Sequence, residues 1–329
     1  MNAPRHRRLA LRCQRAFTVV EVMVASAVLI IILGLILNII SQTSTVTRRA
    51  TDKISAFQGA RAAFDLMTGL LGQATLNSYW DYDNPLTPTR YLRKSELHFL
   101  IGQAGTGPFP GTAGTGQAIF FQAPAGVTQN LATYGGLETL LNATGFYIQY
   151  GDEAGLPSPF PTAAPRYRYR LMQAVQPAEN LAVYNSTTGT SWVSGLSAFS
   201  APIADNIVFM VAWPKKAPAD DPTGNALSSD YSYDSRLNAT STSQPETANQ
   251  LPPTVQVTVV ALDEASAARV CTGNTPPSEV SGLTSGLFSS STQTRFSQDL
   301  QTLITRLDSS GLTYKIFTAA LPIRESKMQ

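Results

Sequence analysis

A chain of 329 residues, 43% hydrophobic and 14% charged, is long and apolar enough to bury a core, which excludes a disordered polyelectrolyte. Its net charge of +2 is an end effect: Arg5, Arg7, Arg8, Arg12 and Arg15 stand within residues 1–16, and removing those five from the 24 basic residues leaves 19 against 22 acidic ones. A basic footprint for nucleic acid would have to lie on the folded body, so the positive total does not imply one.

The first predicted element is an apolar run from Val22 to Ile40, broken only by Ser26, Gly34 and Asn38. At about 1.5 Å per residue it spans roughly the 30 Å hydrocarbon core of a bilayer, which predicts a membrane helix. The run exceeds the core of a secretory signal and no small-residue cleavage site follows it. Arginines crowd its N-terminal side, whereas Arg48, Arg49 and Lys53 beyond it are partly offset by Asp52, so the N-terminus is expected in the cytoplasm and the body outside. One carboxylate, Glu21, sits at the mouth of the run. Facing lipid at a helix centre would cost it about 2.5–3.5 kcal/mol. It either meets a cationic partner or snorkels to the headgroups from one turn inside the helix.

The order of basic leader, small residue, Phe, Thr, two aliphatics, Glu and long apolar helix is carried here by Ala16-Phe17-Thr18-Val19-Val20-Glu21 and the span to Ile40. It resembles the class III signal of type IV pilins and type II secretion pseudopilins. The resemblance implies that residues 1–16 are a leader, that a prepilin peptidase cuts between Ala16 and Phe17, and that Phe17 becomes an N-methylated terminus. It further implies that Glu21 faces the terminal ammonium of a neighbouring subunit. Ala16 stands where glycine is usual, and Asn38 lies near where major pilins often place a kinking proline. With the leader removed, Cys271 is the only thiol, so no internal disulfide framework is expected. A lipidated Cys13 is disfavoured by the bulky Arg12 before it.

From Thr45 to Leu76 there is no proline, and Ile54, Phe57, Phe64, Met67, Leu70 and Leu71 recur at helical spacing. This predicts one continuous helix, with a transmembrane part at 17–40 and an extramembrane part at 41–76, followed by a head at 77–329. Strands are predicted at Glu96 to Ile101, Gln117 to Gln122, Gly145 to Tyr150, Arg166 to Met172, Ile207 to Trp213, Thr254 to Leu262 and Tyr314 to Ala319. An amphipathic helix is predicted from Phe296 to Leu307, with Gly311 as its stop. The class is α+β, an antiparallel sheet laid on the long helix, which the resemblance makes pilin-like. Residues 214–253, rich in Pro, Ser, Thr, Asp and Asn, are expected to form a surface loop or partly disordered insertion. The stretch Leu251 to Thr258 resembles the proline-led strand of the minor pseudopilin subunit J, and the ending from Leu303 to Lys327 resembles the verrucomicrobial cassette protein C family.

Chemical signatures are sparse. Gly102 to Gly116 is glycine-rich, but no lysine or helix start follows to make a phosphate cradle. His98 is the only histidine after the leader, so a Ser-His-Asp system would depend on it; a packed strand histidine is the expectation. Asp220, Asp221, Asp230 and Asp234 carry oxygens of the kind calcium takes, at spacings that match no EF-hand. Arg166, Arg168 and Arg170 alternate with Tyr167 and Tyr169, as for a half-exposed strand or a surface that touches nucleic acid or an acidic partner. Asn142, Asn185 and Asn238 match N-x-Ser/Thr, which has weight only in a glycosylating host. The expected function is a non-enzymatic, cofactor-free minor pilin- or pseudopilin-like subunit, single-pass in the bacterial inner membrane with a periplasmic head. Its expected partners are the prepilin peptidase, other pilin-like subunits, an inner-membrane assembly platform and lipid, not nucleic acid. The alternative is a filament-tip binding module, an adhesin or DNA-uptake subunit.

Overall fold

Thr18 and Glu21 stand at the spacing of a helix start, and the computed structural model, which describes residues 18–152, 165–185 and 189–328, begins a helix there. The leader and the expected cut between Ala16 and Phe17 lie outside the described residues. Helix α1 runs Val19–Leu71. It ends before the expected Leu76 because Gly72 closes the last turn on the Thr68 carbonyl at 3.0 Å and Thr75 is drawn into a bridge with Gln122.

The described residues form two compact units, divided between Thr51 and Asp52. In the first, Val19–Ser44 is apolar and long enough to cross a membrane, and none of it is buried within the chain. In the second, the last turns of α1 bury Ala60, Ala63, Phe64, Met67 and Leu71, a stripe at helical spacing. Phe64 stacks on Phe317 with ring centroids 5.8 Å apart.

The rest of the second unit contains, in chain order, β1 (Tyr79–Tyr82), β2 (Tyr91–Lys94), β3 (Leu100–Gln103), β4 (Gln117–Pro124), α2 (Leu131–Tyr134), β5 (Leu141–Gly151) and β6 (Arg168–Gln176). There follow α3 (Ser191–Gly195), β7 (Ser200–Asp205), β8 (Ile207–Lys215), β9 (Tyr233–Asp234), β10 (Thr254–Leu262), α4 (Glu264–Val270), α5 (Ser278–Thr284), α6 (Gln293–Ser309) and β11 (Tyr314–Pro322). All strand pairs are antiparallel. They form a β1-β2 hairpin, a three-stranded sheet ordered β11-β10-β8 and a six-stranded sheet ordered β7-β6-β5-β4-β3-β9. The single expected sheet is therefore two sheets and a hairpin. A parallel bridge between Gly116 and Met210 joins the larger two, backed by Met210 N–H to the Thr115 carbonyl at 2.9 Å.

Four strands escaped the sequence pattern. β1 and β2 are short, with β1 largely exposed and β2 burying only Leu92, β7 carries Pro202 as an edge strand can, and β9 has only two residues. The expected strand at Glu96 begins instead at Leu100, because side chains satisfy the backbone before it: His98 N–H bonds Gln122 Oε1 at 2.8 Å, and Leu97 N–H bonds Ser95 Oγ. Helix α6 extends the expected Phe296–Leu307 at both ends, capped by Thr292 and burying Phe296, Leu303 and Leu307.

Residues 214–253 differ most from expectation. They are mostly turns, yet Tyr231, Tyr233, Ser235, Ala248 and Leu251 are buried, and β9 supplies an edge of the larger sheet. Tyr231, at φ 66°, inserts beside Trp213, Phe288 and Phe296. A few large aromatics in a polar stretch anchor it, since each buries a large apolar area.

Candidate functional site

The start of α1 holds the carboxylate that the sequence singles out. Glu21 Oε2 accepts the Thr18 N–H at 2.9 Å and the Thr18 hydroxyl at 3.1 Å, while the Glu21 N–H donates to Thr18 Oγ1 at 3.3 Å. This is a capping box, in which two otherwise orphaned helix-terminal donors are satisfied reciprocally. The Thr-x-x-Glu spacing was legible in the sequence and was missed because the charge, not the spacing, drew the reading. Glu21 thus has a local role in addition to the two weighed above. It stays exposed, among exposed Val19, Val20 and Val22, and remains accessible to a partner. The expected counter-charge is the terminal ammonium of a neighbouring subunit, and Phe17, the expected terminus of this chain, is outside the described residues.

His98 lies in a buried polar chain. Its ring is 1% exposed; Nε2 lies 2.6 Å from Asp234 Oδ1 and Nδ1 accepts the Trp192 Nε1–H at 3.1 Å. An acceptor at Nδ1 requires the neutral tautomer with its proton on Nε2. Both ring nitrogens are engaged, so His98 has no lone pair free to take a nucleophile's proton. Burial lowers the His98 pKa below its ordinary 6.5, outweighing the Asp234 carboxylate beside it. Burial opposes the charge of Asp234, but hydrogen bonds from His98 and the Arg236 N–H outweigh it and hold the carboxyl below 3.8.

The consequence for stability has a definite sign. The unfolded chain protonates His98 as pH falls through 6.5 while the folded chain resists, so this contribution is full above 6.5 and is lost below it. The thermal midpoint of the full chain is expected to fall between about pH 7.5 and about pH 5.5. His98→Gln lowers the midpoint at both values but flattens the difference between them. An unchanged slope in that variant would assign the pH dependence elsewhere.

The arginines of the Arg166–Arg170 stretch all pair within the chain, Arg166 at the surface and the other two buried. Arg168 and Arg170 are each 5% exposed. Arg166 and Arg168 share Glu264 at 2.8 and 2.6 Å, and Arg170 pairs with Asp205 at 3.0 Å and donates to the Gly151 and Asp152 carbonyls. The strand itself begins at Arg168, not Arg166. The alternating pattern therefore anchors β6 to α4 and β7, and buried guanidiniums require such partners. Sequence spacing placed them on one face but could not tell whether that face was covered.

The acidic residues of 214–253 do not converge. Asp221 accepts the N–H groups of Gly224 and Ala226 and the Thr223 hydroxyl, closing its own turn, Asp230 accepts the Ser232 hydroxyl, and Asp234 holds His98. Among the described residues no three His, Cys, Asp or Glu side chains gather to hold a metal ion. The glycine-rich stretch is the β3–β4 connection, packed down by Phe109 on Phe120. Asn142 is fully buried and bonded to Val127. Cys271 is buried, and burial raises its thiol pKa. The chain matches no protein-family model, no curated protein and no solved structure.

Proposed function

We propose that this chain is a minor pilin- or pseudopilin-like subunit that assembles into, or initiates, a short filament of a type II secretion or type IV pilus system. The observation that carries the reading is the N-terminal helix: Val19–Ser44 is apolar, none of it is covered by its own chain, and one carboxylate stands three residues past Thr18. Its layout, a long apolar helix leading into a β-sheet head, suits a pilin-like subunit. An anchor needs no carboxylate, whereas a helix that docks in register on others gains from one buried ion pair.

In this reading the prepilin peptidase removes residues 1–16, Phe17 is N-methylated, and the chain rests in the inner membrane with its N-terminus cytoplasmic and its head periplasmic. It then joins other pilin-like subunits on an inner-membrane platform. It works by shape and contact rather than by bond-making. The alternative is a tip module, an adhesin or DNA-uptake subunit, with Arg166–Arg170 or the long loop as its contact surface; of those arginines Arg166 is exposed, whereas Arg168 and Arg170 are buried and bonded within the chain.

The direct test is mass spectrometry of the protein from its own membranes. The expected N-terminal peptide begins at Phe17 and carries one methyl group on its amine. An intact Met1, or a start beyond Ile40, would overturn the proposal.

A further inference from the structure

We propose that the β1-β2 hairpin and the pocket beside it form a binding site for a neutral oligosaccharide, a function that goes beyond filament assembly and does not depend on it. Register pairs Tyr82 with Tyr91 and Trp80 with Arg93. Alternation therefore puts these four side chains on one face and Tyr79, Asp81, Leu92 and Lys94 on the other. Ring geometry agrees: Tyr82 stacks on Tyr91 at 4.9 Å and the Arg93 guanidinium sits 5.8 Å from the Trp80 centroid. Trp80 is 64% exposed and Tyr91 61%, whereas Trp192 and Trp213 are buried. Large aromatics presented side by side to solvent on a hairpin are unusual for a surface with no partner.

Trp80 also walls a pocket of about 280 Å³, together with Arg93, Gln250, Glu325 and Lys327. That volume is at the lower edge of the roughly 300–1,000 Å³ of ligand sites, which suits a single sugar ring. Gln250, nine-tenths buried, contributes to the wall of this pocket.

Charge selects the ligand class. Arg93 donates to the carbonyls of Ala248, Pro245 and Glu246, Lys94 pairs with Asp81, and Arg90 pairs with Asp83. The pocket rim adds one charge of each sign, Glu325 and Lys327. The hairpin cations are thus paired and the rim is balanced in charge, so the site has no excess of positive charge of the kind a phosphate chain needs. What remains is a flat electron-rich ring flanked by groups that both donate and accept. A pyranose matches it, with its C–H face against Trp80 and its hydroxyls toward the amide, carboxylate and ammonium. Trp80 and the Tyr82–Tyr91 pair are two residues apart along the strand, about 7 Å, so successive sugar units have successive platforms.

The test uses the full chain in a detergent without a sugar headgroup. Because the other tryptophans are buried, acrylamide quenching of fluorescence reads Trp80. Cellotetraose is expected to shield Trp80 from acrylamide and to bind saturably in calorimetry. Trp80→Ala should weaken binding roughly tenfold or more, Tyr91→Ala about threefold or more, and Trp80→Phe, which keeps a ring, no more than about threefold. These side chains are exposed, so thermal midpoints should stay near that of the unaltered chain. The proposal is overturned if neither cellotetraose nor chitotetraose shields Trp80, or if binding survives Trp80→Ala undiminished. It is also overturned if a thymidine oligonucleotide shields Trp80 better than either sugar, which would assign the face to single-stranded nucleic acid.

Discussion

Glu21→Gln is expected to reduce incorporation into filaments by roughly tenfold or more while leaving the start of α1 intact. Glutamine completes a capping box as glutamate does, so this change removes the charge and keeps the cap. Thr18→Val does the reverse: it removes the cap hydroxyl, costs about 1 kcal/mol of helix-end stability and leaves the carboxylate. Breaking a buried ion pair by removing one partner costs about 3–5 kcal/mol, so under the proposed function the charge outweighs the cap. The measurement is the ratio of sheared filament to membrane pool for the two variants beside the unaltered chain. Full incorporation of Glu21→Gln with poor incorporation of Thr18→Val would reduce Glu21 to a helix cap and remove the electrostatic account of docking.

Gly116→Ala is expected to be among the most damaging single-methyl changes in the head, lowering its stability by about 3 kcal/mol or more. Gly116 has φ 95°, and a Cβ there would lie 1.9 Å from the Met210 carbonyl oxygen. That atom is backbone, so no rotamer change relieves the overlap. The same spot is the joint of the two larger sheets, where Ala212 N–H also bonds Gln117 Oε1 at 2.9 Å. Gly59→Ala serves as the control, because Gly59 is exposed on α1 and its Cβ would meet nothing within 4 Å. It should stabilise the helix by about 0.5–1 kcal/mol. Thermal midpoints of the two variants are expected to move in opposite directions.

The contrast between Gly116 and Gly59 illustrates how much of the molecule was legible beforehand. Both are single glycines among other residues, and the left-handed backbone at Gly116 together with the approach of β8 makes that one irreplaceable. Strands with dense β-branched or aromatic residues, such as β4, β8 and β10, announced themselves by alternation or apolar runs. β1 and β2 did not, because Trp80, Tyr82 and Tyr91 face solvent and leave no burial pattern to follow. The pocket beside Trp80 draws on residues near 80, 93, 250 and 325, a set that no local window contains.

What the amino-acid order determined by itself is local: an apolar stretch long enough to cross a bilayer, the Thr18–Glu21 spacing at its mouth, the amphipathic face of α6, and an α+β composition. Each depends on neighbours within a few turns, where helix period and side-chain reach suffice. Tertiary structure alone decided that 214–253 contributes to the core, that Arg168 and Arg170 are buried against Glu264 and Asp205, and that His98 bridges Asp234 and Trp192. Those outcomes turn on which face of an element is covered. Covering is set by contacts between residues far apart in the chain, whose exclusion of water decides whether a charge or an aromatic ring is exposed or enclosed.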